Sequence, residues 1–290
     1  MMNTCASCGV KEGGAIKLKK CAACHLVSYC GVKCQKDHRP KHKHACKKRA
    51  AELHEELLFR QPERIHLDDC PICFLPSPIG PLKSTVMTCC SQFICKGCAY
   101  GNYKRAIDAK IPISCPYCRK IAPSSNAERE KRRMARVEAN DPVAMSQYGM
   151  RICENTKNYP LAFRYLTKAA KMGDSNAHHQ LAVMYENGQG VEKDMKKRLY
   201  HFEQAAIGGH PYSRYFLGMI HVENRQYDKA VQHWIIACKL GLDDALKSLK
   251  LAYQVGWVSK EQYDAASHGH QVAVDATKSE QRKVAEEANW

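Results

Sequence analysis

Nowhere in the 290 residues do eighteen apolar residues run together, which excludes a transmembrane helix. The opening MMNTCASC has neither a basic start nor an apolar stretch, so no secretory signal is expected and the chain is expected to stay inside the cell. Paired carboxylates, a serine-centred triad and a phosphate-cradling glycine loop are all missing. Gly188-Gln189-Gly190 follows no strand pattern and is weak evidence for a nucleotide. Cysteine is scarce in residues 119–290, where only Cys153 and Cys238 occur. The other fifteen crowd into two blocks, seven in residues 5–46 and eight in 70–118. In a reducing compartment such paired spacings indicate metal rather than disulfides.

The first block holds Cys5-x-x-Cys8 and Cys21-x-x-Cys24, then Cys30, Cys34, His42 and Cys46. These are eight ligands, enough for two closed tetrahedral zinc sites with no position left for substrate. Cys30/Cys34 and His42/Cys46 are each four apart, so on a helix each pair shares a face. A polar segment of this length cannot build a sufficient apolar core, and metal must supply the folding energy. The segment resembles a MYND-type zinc finger, including the Cys34-Gln35 step. The resemblance implies that Cys5, Cys8, Cys30 and Cys34 hold one zinc and Cys21, Cys24, His42 and Cys46 the other. His25, His38 and His44 are left over and are expected to face solvent. Many members of that family bind proline-rich peptides beside a tryptophan; Arg39 stands at its place, so this activity is not expected here.

The second block reads Cys70-Pro-Ile-Cys73, Cys89-Cys90, Cys95-Lys-Gly-Cys98, Cys115-Pro-Tyr-Cys118. It resembles a RING finger, whose cross-brace would pair Cys70/Cys73 with Cys95/Cys98 and Cys89/Cys90 with Cys115/Cys118. Gln92 falls where many zinc modules place histidine, and a neutral amide oxygen is a poor substitute for a thiolate. Two readings stand: an all-cysteine variant in which the adjacent Cys89 and Cys90 both reach one metal, or a weak second site in which one of them is a small buried residue. His66 is a further candidate ligand. The resemblance implies docking of a charged ubiquitin-conjugating enzyme through Ile72, Pro116 and Arg119. The family's tryptophan before the seventh ligand is missing, with Tyr100 or Tyr103 as its replacement.

Four zinc ions are therefore expected. Zinc-bound cysteines are thiolates, so three tetrathiolate sites and one site of three cysteines and a histidine lower the formal charge from +16 to +9. The basic residues lie scattered over helices and linkers without interleaved aromatics, which argues against nucleic acid as the partner.

From residue 141 a repeat appears. The starts DPVA, DSNA, HPYS and LDDA end at Ala144, Ala177, Ser213 and Ala245, and four residues later come Tyr148, Leu181, Leu217 and Leu249. The units close on 169-AAKMG-173, 205-AAIGG-209 and 237-ACKLG-241, where small residues allow close helix approach and glycine ends the helix. The loop 185-YENGQGVEKD-194 resembles that of Sel-one-like repeats, relatives of the tetratricopeptide repeat. Such stacked units present a concave surface for extended peptides or helices.

The expected fold is mainly α: two small cross-brace zinc modules followed by an α-solenoid of helix-turn-helix repeats. The expected division is a MYND-type finger (5–46), a helical linker ended by Pro62 (47–69), a RING-like finger (70–120), a basic exposed helix opened by Ser125 and Glu128 (121–140), repeats with a cap (141–268), and a cap end with a frayed tail (269–290). Cys153, Cys238, Tyr165 and Trp234 are expected in the repeat core. Two functions fit these modules: a RING-type ubiquitin ligase whose repeats recruit substrate, or a non-enzymatic adaptor.

Overall fold

The computed structural model describes residues 4–80 and 82–290. It is mainly helical, with twelve helices and four short strands among the described residues. The chain forms two compact units, one ending at Arg60 and the other spanning Gln61–Trp290.

In the first unit, strands β1 (Lys19–Lys20) and β2 (Ser28–Tyr29) pair antiparallel and lead into helix α1 (Val32–Leu58). Its buried cluster consists of Cys5, Cys21, Cys24 and Tyr29; three of the four are ligand candidates. Along α1 only His42 and Leu58 are buried. The helix ends four residues before Pro62, contrary to expectation. The Phe59 N–H bonds to Glu55 O and the Arg60 N–H to Leu57 O, so the last turn tightens and satisfies its own carbonyls.

The second unit opens with the hairpin β3 (Ser84–Val86) and β4 (Phe93–Cys95), in which Ser84 faces Cys95, followed by helix α2 (Lys96–Asp108) and α3 (Asn126–Glu138). Helix pairs then succeed one another: α4 (Pro142–Asn155) with α5 (Tyr159–Lys171), α6 (Ser175–Asn187) with α7 (Met195–Ile207), α8 (Pro211–Glu223) with α9 (Tyr227–Lys239), and α10 (Asp243–Gln254) with α11 (Lys260–Ala276).

The repeat residues explain this stacking. Asp141, Asp174 and His210 cap α4, α6 and α8 by accepting from the N–H groups of Ala144, Ala177 and Ser213, which satisfies an otherwise orphaned donor. Leu181, Leu217 and Leu249 are fully buried, as are Ala205 and Ala206, and Ala237 and Cys238. Gly173, Gly209 and Gly241 adopt φ of +89°, +81° and +94°, the left-handed helix stop read from the sequence. Gly218 lets α9 approach: a Cβ there would stand 2.2 Å from Trp234 Nε1. Trp234 is buried and donates to Tyr215 O at 3.3 Å. The Cys238 thiol donates to Ala266 O at 3.4 Å, while Cys153 and Tyr165 pack against the first repeat's core.

Two expectations are corrected. Helix α3 is not merely an exposed charged helix: Val137 and Met134 enter the first repeat's core. Its cap also differs in detail, since the Glu128 carboxylate accepts from Ser124 N while Ser125 Oγ accepts from Glu128 N. The tail is not frayed. Residues to Ala276 belong to α11, and α12 (Glu280–Glu287) packs on α2 with Ala285 fully buried. An eight-residue helix is marginal alone; docking is what orders it. Among the described residues no helix is long and apolar enough to cross a membrane.

Candidate metal centres

The folded chain brings the sixteen candidate ligands into four clusters: Cys5/Cys8/Cys30/Cys34, Cys21/Cys24/His42/Cys46, Cys70/Cys73/Cys95/Cys98 and Cys89/Cys90/Cys115/Cys118. Within each, all ligand atoms lie within 4.8 Å of one another. A zinc–sulfur bond of about 2.3 Å makes the edge of a tetrahedron about 3.8 Å. The sulfur–sulfur distances match: 3.6 Å for Cys8–Cys30, 3.7 Å for Cys21–Cys46, 3.9 Å for Cys73–Cys95 and 3.9 Å for Cys90–Cys115. Every cysteine is free. The donor sets and their spacing fit four zinc ions, each closed by protein ligands.

Convergence couples the thiols. Cys70 is lowered to about 4, chiefly by its hydrogen bond with Cys95, and the same contact pushes Cys95 far up. A divalent cation is what allows four such thiols to ionise together.

The turns that aim the ligands follow one pattern. The N–H groups of Gly9, His25, Phe74 and Arg119 bond to the carbonyls of Cys5, Cys21, Cys70 and Cys115 at 2.8–2.9 Å. Each of those four residues is left-handed, with φ of +74°, +57°, +57° and +62°. A fifth turn obeys the same rule without a cysteine in front. Ser91 (φ +58°) donates to Met87 O at 2.7 Å, and Met87 N donates to Gln92 O at 3.0 Å. Met87 therefore occupies the first position of a knuckle and Cys90 the second. The Met87 side chain packs toward Ile94 and the Cys70 cluster, and Cys89, one residue earlier than Cys90, provides the thiol that Met87 cannot. Gln92 contributes its backbone carbonyl. Cys89 Sγ stands 3.3 Å from Cys118 Sγ and Cys90 Sγ 3.9 Å from Cys115 Sγ, so both adjacent cysteines join one cluster. Native mass spectrometry should count four zincs in the protein and three in Cys90→Ala; three in the unmodified chain would return the weak-site reading.

The remaining candidates are placed as follows. Ile72 is half-buried against the Cys70 cluster, Pro116 is half-buried, and Arg119 is exposed. Trp290 lies against Tyr100 and Tyr103, with ring centroids 5.6 and 6.1 Å away; Tyr100 is half-buried and Tyr103 remains exposed. His38 is not simply solvent-facing; its Nδ1 lies 3.0 Å from Tyr29 Oη and its ring stacks on His42. His25 and His44 are exposed, as is Arg39.

His66 ligates nothing. Its Nε2 meets Asn176 Oδ1 at 3.1 Å, and its ring stacks on His210, which stacks in turn on His179, both at 4.3 Å. His66 N also donates to Gly209 O at 3.1 Å, which ties residues 64–66 to a repeat turn. Beside this stack, a groove of about 810 Å³ runs between the β3–β4 hairpin and the repeat helices, with Phe93, Arg133, Arg151, Asn176 and Tyr212 among its lining. Sequence reasoning missed the stack because its members lie in three separate segments.

Residues 5–46 match the MYND finger profile, and residues 142–174, 175–210 and 211–242 each match the Sel1 repeat. Neither match includes the cysteine-rich segment between them. Among solved structures the chain is similar to a Sel1 repeat protein from Oxalobacter formigenes, with 24% identity over 61% of this chain and 80% of that one and a TM-score of 0.46. It is similar as well to c5321, a protective antigen present in uropathogenic Escherichia coli strains displaying an SLR fold, with 18% identity, 66% and 41% coverage and a TM-score of 0.42. No curated protein matches the chain. The chain thus carries a MYND zinc finger at residues 5–46 and three Sel1 repeats over 142–242, a combination that serves protein interaction.

Proposed function

We propose that this protein is a zinc-stabilised recruiting scaffold and that its segment 70–118 works as a RING-type ubiquitin ligase module. The observation that carries this reading is the alternation of ligands, with Cys70/Cys73 joining Cys95/Cys98 across Cys89/Cys90, which join Cys115/Cys118. Such a module supplies no reacting group. It holds a conjugating enzyme and biases the bound thioester toward attack. Ile72 and Pro116 offer apolar contact at the ends of two knuckles. Arg119, on its left-handed corner behind the last ligand, presents a fork of donors able to bridge two partners. The groove beside the repeats is suited to an extended segment of a client protein. Cysteines gathered into four metal-ligand clusters rather than disulfides suit a reducing, intracellular compartment.

The test is ubiquitination in vitro with a panel of conjugating enzymes. Chains should form with at least one of them, and Ile72→Ala, still carrying four zincs, should lower the yield by about 1.4 kcal/mol of lost docking energy or more, equivalent to tenfold. A fully zinc-loaded protein that yields no chains with any enzyme leaves the adaptor reading in possession. One observation favours that second reading: Trp290 already lies against Tyr100 and Tyr103, the aromatic residues that would replace the missing tryptophan.

A further inference from the structure

Helix α12 reaches the Cys70/Cys73/Cys95/Cys98 cluster with two neighbouring side chains, Gln281 and Arg282. Arg282 is 6% exposed, and no carboxylate among the described residues forms an ion pair with it. Its Nη1 donates to Pro76 O at 2.8 Å and to Thr277 O at 2.5 Å, and its Nη2 to Leu75 O at 3.3 Å. The same Nη2 lies 3.5 Å from Cys73 Sγ, 209 residues earlier in the chain. The neighbouring Gln281 lies alongside, its Oε1 3.8 Å from Cys98 Sγ.

The backbone is arranged to admit this arginine. Gly97, inside Cys95-Lys-Gly-Cys98, meets the start of α12 so closely that a Cβ there would stand 2.7 Å from Arg282 N. Gly97 is not among the left-handed glycines, so close approach rather than a turn is what it provides. Lys83 with Glu286, at 2.5 Å, fastens the other end of α12 to the β3–β4 hairpin.

A buried guanidinium without a carboxylate needs a counter-charge. Zinc bound by four thiolates carries a net −2, spread over sulfurs that accept hydrogen bonds. We propose that Arg282 is an outer-shell positioning residue of the Cys70/Cys73/Cys95/Cys98 zinc site, so that the carboxy-terminal helix is a working part of that site. Arg282 neutralises part of the tetrathiolate charge and fixes Cys73, and the thiolates in turn hold α12 on α2. This holds whether or not segment 70–118 engages a conjugating enzyme.

The experiment uses the full-length, zinc-loaded chain in EDTA with N-ethylmaleimide, following alkylation of each cysteine by peptide mass spectrometry. Loss of an outer-shell partner costs about tenfold to a hundredfold in metal affinity. In Arg282→Met, Cys70, Cys73, Cys95 and Cys98 should be alkylated about tenfold faster or more, while the other three clusters keep their rates. Arg282→Lys, which keeps the charge but lacks the fork, should fall between. Unchanged rates in Arg282→Met would overturn the proposal. So would equal acceleration in the methionine and lysine variants, which would make the role one of packing. Acceleration of Cys89, Cys90, Cys115 and Cys118 in step with the first cluster would also overturn it, as a general opening of the module.

Discussion

Exhaustive chelation at neutral pH is expected to unfold residues 5–46 and leave the helical repeats folded. The physical reason lies in what each unit buries. In the first, Tyr29 is the one member of the buried cluster that is not a ligand, and a buried side chain of that size contributes about 3 kcal/mol at most. A structural zinc supplies roughly 10–16 kcal/mol of folding free energy per site, several times what that one ring can. Without metal the balance cannot close. The segment around Cys70 is intermediate: its cluster has only Ile94 and Ala99 besides three ligands, but the module also leans on α12. The repeats contain no ligand in either large core, which rest on Leu166, Leu181, Leu249, Trp234 and their neighbours. Hydrogen exchange should show loss of protection over residues 5–46 on chelation, partial loss over 70–118, and native protection over 142–242. Protection of residues 21–46 that survives complete removal of zinc would sink this account.

Much of this was legible because both codes involved are local in sequence. Ligand spacing is one: a CxxC turn sets two sulfurs on one metal wherever it occurs, and all sixteen candidates converge. Repeat spacing is the other: Ala144, Ala177, Ser213 and Ala245 recur because each must lie under a neighbouring helix, and Gly173, Gly209 and Gly241 because only a left-handed residue ends those helices cheaply. What stayed hidden depends on backbone or on distant partners. The knuckle at Met87 is written in N–H and carbonyl groups, which every residue has, so the adjacent Cys89 and Cys90 looked anomalous until the turn was seen. Helix α12 has few apolar residues of its own; Arg282 and Ala285 acquire their meaning from Gly97 and Cys73, some two hundred residues away. The stack of His66, His179 and His210 is likewise a product of tertiary folding, joining a linker to the two ends of the second repeat.

That stack should make the second unit sensitive to mild acid. Burial holds His66 and His179 down to about 4, and His210 well below its ordinary value of 6.5. The rings are packed against one another, so a proton on one repels a proton on the next. In the unfolded chain each histidine binds its proton near pH 6.5. Between about pH 6.5 and 4 the unfolded state therefore holds more protons than the folded state, and stability falls as pH falls. Above pH 6.5 both states are neutral at these positions and the contribution is flat. A histidine held at about 4 corresponds to roughly 3 kcal/mol at the acid end, and the three stacked rings, His210 buried and the other two half-buried, together should cost a few kcal/mol. Thiolate protonation releases zinc in an overlapping range, so the informative measurement is a comparison. His66→Phe keeps a ring on His210 and touches no ligand, and it removes one titrating group and its repulsion on the other two. Urea unfolding of the full chain, followed by exchange protection of residues 175–223, should show the variant losing about 1–3 kcal/mol less than the parent between pH 6.5 and 4.5. Parallel curves for the two proteins would mean that the stack does not set the acid limit.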